Sequence, residues 1–295
     1  MIRDLQNQHV GFVVSAGRTG TAFCGQKMSE IFPGSAAFHE PDGIHRGRVV
    51  SDAFRVISEF GIYRGLLGKI ISRTGVRNIN NRYLAGRLSD EEAAEQIAKN
   101  RTKFYRKVSR DLIIESNYAL YGLLPVIEKV FLHYNVAAIV REPESWIRSY
   151  WKRGDRYGKK DYLQKLNMRI SPEMIGDKKT AIRWGRMHPI ERIAWFWHIV
   201  YTRIKETEDD NKRVRVFRFE DIFNENGDST EFVRLAEFLG AFDDRKFSTA
   251  FSPDILSEKL NSSPDTSVTE EEEKRIKDAA STWCYPFAER WGYRL

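Results

Sequence analysis

The chain has 295 residues, 41% of them hydrophobic and 30% charged, with a formal net charge of +7. That apolar fraction excludes disorder of the whole and suffices for a buried core in one large domain or two small ones. Cys24 and Cys284 are too few for a disulfide framework and lack the paired spacing that holds zinc, so a reducing compartment, the cytoplasm, is expected.

The first residues, MIRDLQNQHV, run into a strand without an apolar signal core. Later apolar stretches are broken by Glu128, Lys129 or Arg141 well short of membrane-spanning length, so a soluble chain without stable membrane insertion is expected. The positive charge implies attraction to anions and leaves nucleic acid, a membrane surface and a multiply phosphorylated small ligand open.

A first strand is expected over 10–14, then the loop SAGRTGT, a helix over about 22–32 that stops at Pro33-Gly34, and a short strand over 35–38. Residues 43–110 turn basic and polar and read as a helical insertion, in which Ser89 is an N-cap with Glu92 three residues on. The sheet resumes over 112–115, followed by a helix over about 121–134, a strand over 136–140 and a helix from Pro143 or Glu144. A second basic insertion, 153–190, precedes the apolar helix IERIAWFWHIVYTRI, whose Trp195 and Trp197 read as core. The last strand is expected over 214–219 and its helix over 232–239, with Thr269 capping a final helix. The whole reads as a single α/β domain over 1–295. It has three layers, a mostly parallel central sheet with helices on both faces, and a P-loop-like nucleotide-binding fold with helical insertions.

Five apolar runs end abruptly in polar residues: GFVV before SAGRTGT, SAAF before HEPDG, LII before ESN, AAIV before REPESWIRS, and VFRF before ED. In an open parallel sheet the ligand binds outside the carboxyl ends of the strands, so these segments can converge on one site. The first loop suits an anion: Gly17 and Gly20 ease the turn, Thr19 and Thr21 offer hydroxyls, Arg18 a guanidinium, and the amides through Ala22 a helix N-terminus. It is no Walker A motif, because Thr21 follows Gly20 where GxxxxGK[ST] demands lysine. Arg141, directly after AAIV, and Ser149, eight residues later, can grip a further phosphate. A salt bridge of Arg141 with Glu142 or Glu144, and a filler position for Ser149, are the structural alternatives.

Together the two loops resemble the sulfotransferase family that uses 3′-phosphoadenosine 5′-phosphosulfate (PAPS) and releases adenosine 3′,5′-bisphosphate (PAP). The family's first loop, of the KSGTT or RSGSS type, is matched by Arg18, Thr19, Gly20 and Thr21, and its element of arginine, seven residues and serine by Arg141 and Ser149. HEP at His39–Pro41, IESN at Ile114–Asn117, RFED at Arg218–Asp221 and WGY at Trp291–Tyr293 extend the likeness along the chain. Cytosolic members usually carry lysine where Arg18 stands, and they end in a Gly-rich basic loop not found here. The chain is therefore more similar to the bacterial and carbohydrate-sulfating branch.

The resemblance implies PAPS as donor without a metal, and a hydroxyl-bearing acceptor, of carbohydrate or glycolipid type by analogy. No nucleic acid partner is expected. Arg18 and the amides of residues 19–22 would stabilise charge on the leaving phosphate, and Glu40 would take the acceptor's proton. His39 competes for that role, because neighbours at a strand end point to opposite faces and only one can face the crevice unless the backbone turns sharply at Pro41. Glu40 paired with Arg46 is the structural alternative. Lys259 and Asn261 in KLNSS are expected as extra phosphate contacts, and Glu115, Ser116 and Asn117 lie near the acceptor or sulfate in family terms. Glu220 and Asp221 are expected to organise the loop after the last strand, and the remaining histidines to form no close ligand pair. The competing readings are an ATP-dependent phosphoryl transferase, which the missing lysine opposes, and a basic nucleic-acid-binding protein. Oligomeric state stays open.

Overall fold

Parallel strands are buried on both faces, and the strand sequences here are apolar to match. The computed structural model describes residues 5–43, 57–58, 60, 75–154, 156–158, 161, 164, 169–224, 226–257 and 267–294. Its sheet contains β1 (His9–Ser15), β2 (Ala36–His39), β3 (Leu112–Ser116), β4 (His133–Val140) and β5 (Val214–Arg218), in the order β2-β3-β1-β4-β5 with every pair parallel. The principal helices are α1 (Thr21–Ile31), α2 (Val76–Leu84), α3 (Asp90–Val108), α4 (Pro143–Arg153), α5 (Pro189–Asp210), α6 (Thr230–Gly240) and α7 (Glu270–Trp283).

Alternation along the strands divides the core into two layers. Val10, Phe12 and Val14 of β1, with Val136, Ala138 and Val140 of β4, pack beneath Ile97, Trp146, Trp195, Trp197 and Ile276. Val13, Ala137 and Ile139 face the other way, onto Phe23 and Met28 of α1 and Phe232, Leu235 and Leu239 of α6. Trp195 and Trp197 are fully buried, as their helical spacing led one to expect. Among the described residues no helix is long and apolar enough to cross a membrane.

The capping residues act as the sequence suggested. Ser89 accepts from the Glu92 amide while Glu92 returns to the Ser89 amide, and Thr269 and Glu272 do the same at α7. Each such cap contributes on the order of 1 kcal/mol. The helix expected over 121–134 is corrected to a single turn, Leu124–Ile127. The chain then enters β4 at His133, earlier than expected, because His133, Tyr134 and Asn135 continue the ladder opposite His9, Val10 and Gly11. β5 ends at Arg218, and Phe219 opens a short helix, Phe219–Ile222. Arg46, Lys259 and Asn261 lie outside the described residues.

The same register corrects the expectation for the histidines. His9 and His133 stack at the amino edge of the sheet with ring centroids 4.6 Å apart. Asp244 joins them, 3.1 Å from His9 Nε2 and 2.9 Å from His133 Nδ1.

Candidate active site

The order of assembly turns between β1 and β4: the chain places β2 and β3 on one side of β1, and β4 and β5 on the other. Loops after β1 and β4 therefore leave neighbouring strands at the switch point, where open α/β sheets bind ligands.

Residues Gly17, Arg18 and Gly20 have φ values of +81°, +59° and +76°. This left-handed path turns three successive carbonyls toward α4 and Arg141. Ala16 O accepts from the Tyr150 hydroxyl (2.9 Å), Gly17 O from Trp146 Nε1 (2.7 Å) and Arg18 O from Arg141 Nη1 (3.1 Å). No side chain caps α1, which begins after Gly20, and the buried Thr19 hydroxyl has no hydrogen-bond partner. An uncapped helix N-terminus beside a left-handed loop is an anion site by its own electrostatics. The glycines are also required sterically, because a Cβ at Gly17 would lie 2.4 Å from Tyr150 Oη and one at Gly20 2.4 Å from the Phe223 ring. Cys24 sits in the first turn of α1, its amide donating to Gly20 O at 3.0 Å, and burial pushes its thiol up to about 12.

Arg18 and the second loop are cross-linked. Arg18 Nε donates to Ser149 Oγ at 3.1 Å. Arg141 donates instead to Ser145 Oγ, from Nε at 3.1 Å and Nη2 at 2.7 Å, and its guanidinium lies 4.6 Å from the Phe219 ring centre. Glu142 forms no ion pair with it. The Glu142 carboxylate caps α4, accepting from the amides of Glu144 (2.9 Å) and Ser145 (2.6 Å). Burial lowers the pKa of Arg141, opposed by the charge of Glu220. Glu220 is an organiser, as expected: it accepts from the Glu142 amide at 2.9 Å and from the Tyr293 hydroxyl of the WGY segment at 2.5 Å.

Across the crevice, Glu40 itself adopts φ +44°. This is the sharp turn under which pleat alternation no longer separates His39 from Glu40, and it falls at Glu40, one residue before Pro41. The backbone turns at Glu40, and His39 Nε2 comes to 3.7 Å from Glu40 Oε1. A left-handed glutamate costs about 1–3 kcal/mol, a cost that persists only where the surroundings impose it. Here the Glu40 amide donates to Ser116 O (2.9 Å), and Ser116 Oγ donates to Thr21 O (2.6 Å), which ties the Glu40 turn to the start of α1.

Glu115 is fully buried and turned away into the core. It accepts from Arg101 Nε (2.7 Å) and Nη2 (2.5 Å), from the Tyr105 hydroxyl (2.7 Å) and from Asn117 Nδ2 (3.1 Å). Arg101 also approaches Asp42 (3.7 Å), and Asp42 accepts from the Val76 amide at 2.9 Å, so this network anchors α2 and α3 below the Glu40 turn. Sequence reading passed over Arg77 and Arg156, which line a recess beside Tyr118. Basic insertions of this kind read as solvated faces, and no motif marked either arginine.

No family model matches the chain, and no curated protein matches it. Among solved structures it is similar to the sulfotransferase domain from the curacin biosynthetic pathway, at 14% identity and a TM-score of 0.48, covering 98% of this chain and 99% of that one. It is also similar to the sulfotransferase domain from the Synechococcus PCC 7002 olefin synthase (15%, 0.47, covering 99% and 98%). A third is the sulfotransferase from Alicyclobacillus acidocaldarius (15%, 0.47, covering 98% and 97%).

Proposed function

We propose that the protein is a sulfotransferase that moves a sulfuryl group from PAPS to an acceptor hydroxyl, of carbohydrate or glycolipid class. One observation supports this above the others: a left-handed loop before an uncapped helix, with the carbonyls of Ala16, Gly17 and Arg18 turned away, brings its own Arg18 against Ser149 and meets Arg141 at the switch point. The orphaned Thr19 hydroxyl and the bare start of α1 fit a phosphosulfate.

In this reading the amides of Thr19 through Ala22, with Arg18, hold the 5′-phosphosulfate, while the Gly17 amide is kept by Ser15 Oγ at 2.8 Å, and Arg141 with Ser149 holds the 3′-phosphate. Lys259 and Asn261 supply further contacts. Bound PAPS supplies the sulfuryl group. Arg18 and the helix N-terminus hold positive potential where negative charge grows on the leaving phosphate, an effect worth roughly 3 kcal/mol per good donor. Glu40 receives the acceptor's proton, and His39 beside it fixes the carboxylate's orientation.

The test is thermal stabilisation by PAP, compared with AMP and with magnesium-ATP, on the native chain and on Arg141→Ala. A ligand at 100 times its Kd stabilises by about 2.7 kcal/mol. Selective stabilisation by PAP that is lost in the variant is expected. Selectivity for magnesium-ATP, or no stabilisation by any nucleotide, would overturn the assignment.

A further inference from the structure

Arg156 is only 4% exposed and is enclosed by aromatic rings, its guanidinium 3.8 Å from the centre of Phe196, 5.2 Å from Tyr150 and 5.8 Å from Tyr118. Arg77, on α2, approaches the same Tyr118 ring at 5.4 Å. Among the described residues neither arginine forms an ion pair, and the Nε of each is buried without a hydrogen-bond partner. Asp161 acts on Arg156 only at a distance, because its carboxylate is already bound by Arg169 Nε (2.9 Å) and the Tyr157 amide (2.7 Å).

Buried cations are ordinarily paired, since desolvation of a lone guanidinium is unfavourable and π-faces offset it only in part. Both arginines line one open recess with Arg169, Asn80 and Asn81, and among the described residues no carboxylate lines it. Two cations that form no ion pair among the described residues, at a recess furnished with amide groups, form a receptor for an oxyanion.

The recess adjoins the site already described. Tyr118 follows Asn117 at the end of β3, and a Cβ on Gly17 would come within 4.0 Å of Tyr118 Cγ. Tyr150, which shields Arg156, also donates to Ala16 O in the first loop, and Arg77 lies in the field of Glu40 and Asp42. We propose that Arg77 and Arg156 bind an oxyanion carried by the acceptor, so that the substrate is an anionic hydroxyl compound. Its carboxylate, sulfate or phosphate would dock in this recess while its hydroxyl faces Glu40. This names the acceptor's chemistry and rests, for the hydroxyl's fate, on the sulfotransferase reading; the anion site stands without it.

The experiment is calorimetric titration of inorganic sulfate, and separately of acetate, into protein saturated with PAP. Wild-type protein should bind at least one of the two, sulfate alone marking a tetrahedral group and acetate alone a planar one. Affinity should fall at least tenfold in Arg156→Gln and in Arg77→Gln, persist in Arg156→Lys, and be unaffected by Arg18→Gln, which alters the first loop and its bond to Ser149, once PAP is raised to saturate that variant. PAP affinity, measured first on each variant, should match wild type for the Arg77 and Arg156 changes and reports on their folding. Absence of anion binding, or binding that survives both Gln variants or is lost in Arg18→Gln, would overturn the proposal. Failure of PAP itself to bind would overturn the sulfotransferase reading and leave the anion titration, repeated without PAP, to decide the recess.

Discussion

The two ends of the sheet are built on opposite principles. At the amino edge charges are met by partners: Asp244 by His9 and His133, Asp243 by Arg213 at 2.7 Å, Asp111 by Arg245 at 2.9 Å. Gln8 Nε2 there donates to the carbonyls of Arg110 (2.9 Å) and Asp111 (3.0 Å). At the carboxyl edge a helix starts uncapped, Arg18 and Glu40 are held at positive φ, and buried Arg156 forms no ion pair among the described residues. A fold leaves polar groups unsatisfied and backbone strained where something else is meant to complete them. The amino edge contributes stability, and the carboxyl edge gives some of it up to keep a site open.

That contrast can be broken most decisively at Glu40. Glu40→Gln is expected to lower kcat by about 10²–10⁴-fold with little change in stability, measured by sulfate transfer to an accepted hydroxyl compound and by urea unfolding. Arg18→Ala should cost about 10²–10³-fold, again in kcat. In the paired interior the sign reverses: Arg101→Ala leaves Glu115 buried and uncompensated, and should destabilise by about 3–5 kcal/mol in chemical denaturation. Glu40→Gly sharpens the comparison, because it removes both the carboxylate and the left-handed strain. It is expected to abolish activity and yet raise stability by about 1 kcal/mol; a loss of stability would show that the turn is not strained.

Acid should act on the interior before the surface. Burial lowers the pKa of His198 and of His188 below the ordinary 6.5. The unfolded chain then binds more protons than the folded one below pH 6.5, so stability is full above that value and is lost as pH falls through the folded pKa values. Unfolding midpoints at pH 7.5 and 5.5 should differ, and His198→Asn should narrow the gap. The smallest effect belongs to the amino edge: Arg245→Gln, removing an exposed pair, should cost less than about 1 kcal/mol and nothing measurable in 1 M salt.

Much of the site was legible because it is written in segments that directly follow strands. Gly17 through Thr21, the strand-end place of Arg141 and the organising role of Glu220 needed only a strand end and a following helix to be read, whereas the partners inside the second loop, Ser145 for Arg141 and Ser149 for Arg18, did not follow from spacing. What escaped depends on the third dimension. The partner of Glu115 is Arg101 on the preceding helix, and nothing in the spacing says which strand face meets it. His39 and Glu40 share a side because one residue takes an unusual φ, a choice that Ser116 O imposes from the adjacent strand. His9 and His133 meet only through parallel register. Arg77 and Arg156 looked like solvated charge in basic stretches, and only packing against Tyr118 and Phe196 reveals Arg156 as buried and Arg77 as part-buried.

The two thiols occupy different layers of the core, Cys24 beneath α1 beside the first loop and Cys284 against Ala194 O of α5 at 3.6 Å. Burial raises the pKa of both, so neither reacts with a disulfide reagent until its own layer opens. The native chain thus carries two internal clocks, and the ratio of their labelling rates reports which side of the sheet breathes first, without any engineered label.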